Sequence, residues 1–163
     1  MGRPACQLAR MTQPLAPHAI NAFFADHFPQ IAPGRDFIVE ETGARFARMR
    51  LIYSERRLRP GGTISGPSMF ELADLALYAA ILAELGVGND PASANTSRGA
   101  LAVTTNLNIN FLRKPEPGDL IAEARLMKLG QRLIVGEAWL HAEGGGDAVA
   151  HATGTYSVPP PRG

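Results

Sequence analysis

The chain reads as an α+β domain in which one long apolar helix is wrapped by antiparallel strands. Three observations predict this. Residues 67–85 run almost without polar interruption, with Glu71, Asp74 and Glu84 as their only charged residues. A helix that apolar around its circumference must be covered on nearly every side. From Leu101 the apolar period becomes two: Leu101, Val103, Leu107, Ile109 and Phe111 fall on one face, and Ala102, Thr104, Asn106, Asn108 and Asn110 on the other. That alternation is a strand's. Turn-forming clusters at 115–119 (P-E-P-G-D), 130–132 (G-Q-R) and 144–147 (G-G-G-D) then separate strand-like segments at 120–129, 132–142 and 148–158. Such spacing suits antiparallel neighbours in one sheet.

Residues 1–16, with Pro4 and Pro14, are expected to form a flexible tail ahead of a single domain over 17–163. Ile20, Phe23, Phe24 and Phe28 recur at helical spacing behind Pro17, and Pro29 closes that helix. F-I-V-E-E at 37–41 and A-R-F-A-R-M-R-L-I-Y at 44–53 predict a hairpin turning at Thr42–Gly43, with Ala47, Met49, Leu51 and Tyr53 on one face of the second strand and the partly polar set Phe46, Arg48, Arg50 and Ile52 on the other. The long helix opens after Ser65 and Gly66, takes Pro67 into its first turn and stops at Gly86. A loop rich in Gly, Asn, Ser and Pro spans 86–99, and the strands beyond it are expected to run as a meander of four.

Composition excludes several function classes. The 163 residues, 45% of them apolar, suit one domain with a substantial core. A net charge of +1 and the lack of a basic run argue against a nucleic-acid partner. Cys6 is the only cysteine, which excludes an internal disulfide framework and a cysteine-built zinc site and fits a reducing cytoplasm. The N-terminus lacks the charged-then-apolar pattern of a signal peptide. Glu71 and Asp74 inside the apolar run mark a core helix rather than a membrane span. His18, His27, His141 and His151 show no metal-ligand spacing, and no phosphate-cradling glycine motif occurs, so neither metal nor cofactor is expected.

The order of motifs resembles the hot-dog fold acyl-CoA thioesterases of the phenylacetic-acid-pathway type over about residues 36–158. In that family the helix opening reads H-G-G, four residues, then L-x-D. Here Ser65-Gly66-Pro67, S-M-F-E and Leu72-Ala73-Asp74 occupy the slot. The following strand, V-T-T-N-L-N-I-N-F-L-R from Val103 to Arg113, is similar to the family's V-T-x-x-L-x-I-x-F-L-R. Gly118-Asp119 and Gly130-Gln131-Arg132 match its later turns. The resemblance implies the hot-dog arrangement, in which the sheet wraps the helix, and hydrolysis of an aryl- or fatty-acyl-CoA, with CoA as part of the substrate.

Thioester hydrolysis needs an oxyanion stabiliser and a base or nucleophile. A helix N-terminus offers unused N–H groups and positive potential, and a glycine there lets a carbonyl approach the backbone. Gly66 N–H is therefore the oxyanion-hole candidate, the role this glycine has in the resembling family; otherwise Gly66 merely starts a helix. Asp74 is the candidate base or nucleophile, since a carboxylate in an apolar helix is costly without a partner or a task; otherwise it bonds a neighbouring backbone group. Eight residues of helix separate the two by roughly 12 Å along the axis. One thioester carbon cannot lie against both in one chain, so a shared site requires Asp74 to face Gly66 of a second protomer across a two-fold axis.

The resemblance further implies that Thr104 helps to position an attacking water. Ser65, expected to assist the hydrolysis with Thr104, stands where the family commonly has His, and Arg59 where it has Asn or a polar equivalent. Arg59, Phe111, Arg113, Lys114, Lys128, Gly130, Gln131 and Arg132 fall in its substrate-binding slots, the cations suiting CoA phosphates. Asn106, Asn108 and Asn110 suit an assembly interface or solvent, and a homodimer or homotetramer is expected. The departures at 59 and 65 give one rival reading, a non-catalytic acyl-CoA binding or sensing module; another is a hot-dog hydratase or dehydratase. The latter class usually pairs an acid with a His, and no His lies in or near the long helix.

Overall fold

Strand alternation and one uninterrupted apolar helix produce a six-stranded antiparallel sheet curled around that helix. The computed structural model describes residues 13–88 and 98–161, so the expected tail over 1–12 and the loop residues 89–97 lie outside the described residues. Helix α1 (Pro17–His27) buries Ile20, Phe23 and Phe24. The Asn21 amide brackets the backbone of Val39, donating to its carbonyl and accepting from its N–H, both at 2.9 Å. That ties α1 to strand β1 (Phe37–Gly43). Leu15 is held by its N–H to the Ala83 carbonyl at 2.8 Å and by its carbonyl to Thr42 Oγ1 at 2.7 Å.

β1 pairs with β2 (Phe46–Leu51), but the turn falls at Ala44–Arg45 rather than Thr42–Gly43. An irregularity between Val39 and Glu41 shifts the register, and Thr42 and Gly43 become paired strand residues opposite Ala47 and Phe46. Arg45 adopts the left-handed φ of 55° that such a turn needs. Its backbone is held at both ends: its N–H by the Glu84 carboxylate, its carbonyl by Leu126 N–H at 2.9 Å. Tertiary bonds thus place the turn where no glycine stands.

Helix α2 (Gly66–Leu85) stops at Gly86 and buries twelve of its residues, from Ser68 to Ala83. The remaining strands are β3 (Val103–Phe111), β4 (Leu120–Leu129), β5 (Leu133–Ala142) and β6 (Ala150–Ser157). The sheet order is β1-β2-β4-β5-β6-β3, which corrects the expected meander of four: β4, β5 and β6 meander, whereas β3 sits at the far edge beside β6. Residues 112–119 are therefore a crossing connection and not a hairpin turn. Leu112 and Arg113 leave it bonded to the Val149 carbonyl at 2.9 and 3.2 Å.

Two facing glycines fix the depth of α2. Gly136 and Gly154 are register partners on β5 and β6. A Cβ on Gly136 would lie 2.7 Å from Leu77 Cδ2, and one on Gly154 would lie 2.9 Å from Leu77 Cδ1. Leu77 therefore occupies a notch that only glycine leaves open. Among the described residues no helix is long and apolar enough to cross a membrane.

Candidate active site

The site is built on the exposed stripe of α2 and the strand beside it. Ser65 caps the helix, its Oγ accepting from Ser68 N–H at 3.3 Å and sharing a 2.9 Å bond with Ser68 Oγ. Ser65 lines neither of the cavities described next but a third, with Asp36 and Arg57. Gly66 is the first helical residue, so its N–H has no partner within the helix. Pro67 has no N–H, and Ser65 takes that of Ser68. Gly66 N–H is the amide of this first turn left for a ligand.

Gly66 borders two cavities. One, of about 440 Å³, brings together Arg59, Phe111, Arg113 and Lys114 with Thr63 and Met69. The other, of about 600 Å³, is walled by Pro67, Phe70, Ile109 and Phe111 and carries Glu71 and Asp74. The Phe111 ring stands between them: a Cβ on Gly66 would meet it at 3.2 Å. A cationic mouth and an apolar chamber thus meet at the Gly66 backbone. Arg113 is paired with Asp147 at 2.5 Å, both side chains well exposed. Lys128, Gly130, Gln131 and Arg132 line neither cavity of their own chain; they form the β4–β5 hairpin, where Gly130 N–H meets the Leu133 carbonyl at 3.0 Å.

Asp74 is half-buried rather than enclosed, because the second cavity opens on it. Thr104 Oγ1 donates to Asp74 Oδ1 at 2.8 Å. The expected polar face for Thr104 is corrected here. The β3–β6 register slips between Thr104 and Asn106, so Thr105 is an extra residue that inverts the strand's parity. Thr104, opposite Tyr156, thereby shares the helix-facing side with Leu107, opposite Gly154, while Asn106, Asn108 and Asn110 keep the outer face.

Tyr156 is the residue that sequence reasoning missed. Its phenol donates to Asp74 Oδ1 at 2.5 Å and lies 2.8 Å from the Asp74 carbonyl oxygen. Burial, and then the negative charge of Asp74, push the phenol well above its ordinary range. A signal was present: the inward face of the last strand reads Ala150, Ala152, Gly154, Tyr156, three small residues and then one large residue with a polar tip. None of the four histidines lines either cavity. Glu71, one turn before Asp74, is held by Arg57 Nη1 at 2.5 Å.

The family model for the Thioesterase superfamily matches residues 61–149, which include the helix opening, Asp74 and, Arg59 apart, the residues lining both cavities. A candidate thioesterase from Silicibacter sp. TM1040 has 45% identity and a crystal structure superposing with a TM-score of 0.76 over 92% of this chain and 96% of that one. A candidate thioesterase from Ralstonia eutropha, described as related to phenylacetic acid degradation, has 26% identity and a TM-score of 0.66 over 80% and 90%. A candidate esterase from Saccharolobus solfataricus is 27% identical over 113 residues, 69% of this chain and 67% of that protein.

Proposed function

The chain belongs to the thioesterase superfamily, and from that premise we propose that it hydrolyses an acyl-CoA thioester at a site shared between two protomers. The observation that carries this reading is the pairing, on one face of α2, of an unused Gly66 N–H with a carboxylate clamped by Thr104 and Tyr156.

The thioester carbonyl rests on Gly66 N–H of one protomer, where the amide and the helix N-terminus stabilise the charge developing on oxygen. Asp74 of the second protomer either takes a proton from a water attacking that carbon or attacks it directly. The tetrahedral intermediate collapses with loss of the CoA thiolate. On the water route the acyl group leaves directly as a carboxylic acid, and the proton held by Asp74 passes to the thiolate. On the direct route the acyl group is left as a mixed anhydride with Asp74, which a water then hydrolyses to release the acid and restore the carboxylate. The apolar chamber of Pro67, Phe70, Ile109 and Phe111 suits the acyl group, and the mouth carrying Arg59, Arg113 and Lys114 suits the phosphates of the CoA arm. Lys128 and Arg132 are proposed to reach that arm from the other protomer.

A panel of aryl- and fatty-acyl-CoAs with a thiol-trapping reagent tests the activity, and Asp74→Asn tests the site. The amide keeps size and much of the hydrogen bonding but is neither base nor nucleophile. The expected outcome is an unchanged fold and assembly with kcat lower by about 10²-fold or more. Wild-type turnover by the Asn variant would remove Asp74 from the chemistry. Binding of acyl-CoA without hydrolysis of any panel member would favour the non-catalytic module.

A further inference from the structure

Asp74 has two carboxylate oxygens, and the protein treats them differently. Oδ1 receives Thr104 Oγ1 from β3 at 2.8 Å and the Tyr156 phenol from β6 at 2.5 Å. Among the described residues no side chain makes such a bond to Oδ2, and the chamber opens on Asp74. Both donors come from strands remote in sequence. Thr104 reaches the carboxylate because of the extra residue at Thr105, and Tyr156 because its strand leaves Ala152 and Gly154 small beneath α2. The phenol lies within bonding distance of the Asp74 carbonyl as well, so one ring positions both the backbone and the side chain of this residue.

We infer that Tyr156 is a positioning residue of the hydrolysis: with Thr104 it saturates Oδ1 of Asp74, fixes the carboxylate rotamer and leaves Oδ2 as the one oxygen free to meet the water or the thioester carbon. The inference rests on the reading of Asp74 as base or nucleophile. A carboxylate free to rotate about its last torsion presents either oxygen over a broad range of angles. Two donors on one oxygen restrict it to a single presentation, the condition for a near-attack geometry. A tyrosine buried this deeply keeps its proton throughout the working pH range and so remains a donor at every stage of turnover. The ionisable groups near Asp74 are Tyr156 from β6, Glu71 one turn back and Tyr78 one turn on along α2; β3 brings Thr104 and no ionisable group.

Tyr156→Phe keeps the ring and removes the donor. Its kcat on the best panel substrate should fall about ten-fold or more with KM nearly unchanged, the scale of one lost hydrogen bond to a charged group. A purely structural tyrosine predicts a lower Tm with wild-type kcat per folded site, and that result would overturn the inference. A readout independent of activity separates the two readings. In protein labelled with ¹³Cγ-aspartate, the Asp74 signal, read at one fixed pH near neutrality, should be displaced in Tyr156→Phe relative to the parent, since the contact to Oδ1 is gone. If it is not, the positioning role falls whatever Asp74 does. If it is, while Asp74→Asn retains full activity, the contact stands but the positioning role in hydrolysis falls together with the catalytic reading of Asp74.

Discussion

At the scale of single residues, one cluster of ion pairs lies beside the helix that carries the site. Asp36 is 6% exposed and accepts from Arg35 at 3.3 Å, from Arg57 at 3.1 Å and from Arg56. Burial pushes its carboxyl upward, but the bonds from Arg56, Arg35 and Arg57 prevail and hold it below the usual carboxylate range. A folded value below the unfolded one means that the stabilisation is fully present above about pH 4 and is lost as pH falls through the folded value. Asp36→Asn should therefore be less stable by about 3 kcal/mol near neutrality, because it leaves the half-buried Arg57 short of a partner. The deficit should shrink below about pH 4. Urea denaturation of both proteins across that range checks it, and a pH-independent difference would deny Asp36 this role. Arg57 also holds Glu71, so loss of Asp36 should disturb the first turns of α2.

At the scale of elements, the position of Asp74 depends on how deeply α2 sits in the sheet. Leu77, one turn beyond Asp74, fills the notch left by Gly136 and Gly154. A methyl group on Gly136 would meet not only the flexible Leu77 side chain at 2.7 Å but also the Arg125 carbonyl at 2.9 Å, and that backbone atom cannot swing away. Gly136→Ala should destabilise the fold by about 1–3 kcal/mol through overpacking. It should also displace α2 from β5 and lower kcat per folded molecule, since Asp74 and its two donors then lose register. Thermal denaturation with turnover corrected for the folded fraction measures both effects. An alanine variant equal to the parent in each would show that the notch has slack. The hairpin turn at Ala44–Arg45 teaches the same lesson, because bonds from Glu84 and Leu126 overrode the glycine signal at Gly43.

At the scale of the whole molecule, β3 ends the sheet with Val103 and Phe111 exposed, and Leu101 and Leu112 just beyond its ends are exposed too. Phe70 and Pro67 continue that apolar surface onto α2. An unpaired apolar edge beside an exposed chamber is a surface that invites a second copy. The proposed shared site makes a quantitative demand. Asp74→Asn and Gly66→Val protomers are each expected to be inactive alone. Mixed after reversible dissociation, half of the dimers carry one of each, and each such dimer holds one intact site. Activity should return to about a quarter of the parent's. Mixtures that stay inactive, with light scattering confirming exchange, would place each site within a single chain.

Local chemistry alone determined that one helix is buried, that strands of period two surround it, and that Gly66 and Asp74 share a helix face two turns apart. These properties are legible because helical rise and strand alternation repeat over a few residues, and because a Ser65 cap and a Gly86 stop are local devices. The tertiary structure alone decided three others. It placed β3 beside β6, since strand order is set by pairing between segments about fifty residues apart. It turned Thr104 toward Asp74, since one extra residue at Thr105 reverses every later position of a two-residue period. It brought Tyr156 onto a carboxylate 82 positions earlier in the chain, a contact no window of local sequence contains. The site's framework follows from short-range periodicity, whereas the hydrogen bonds that orient its carboxylate depend on the long-range closure of the sheet around α2.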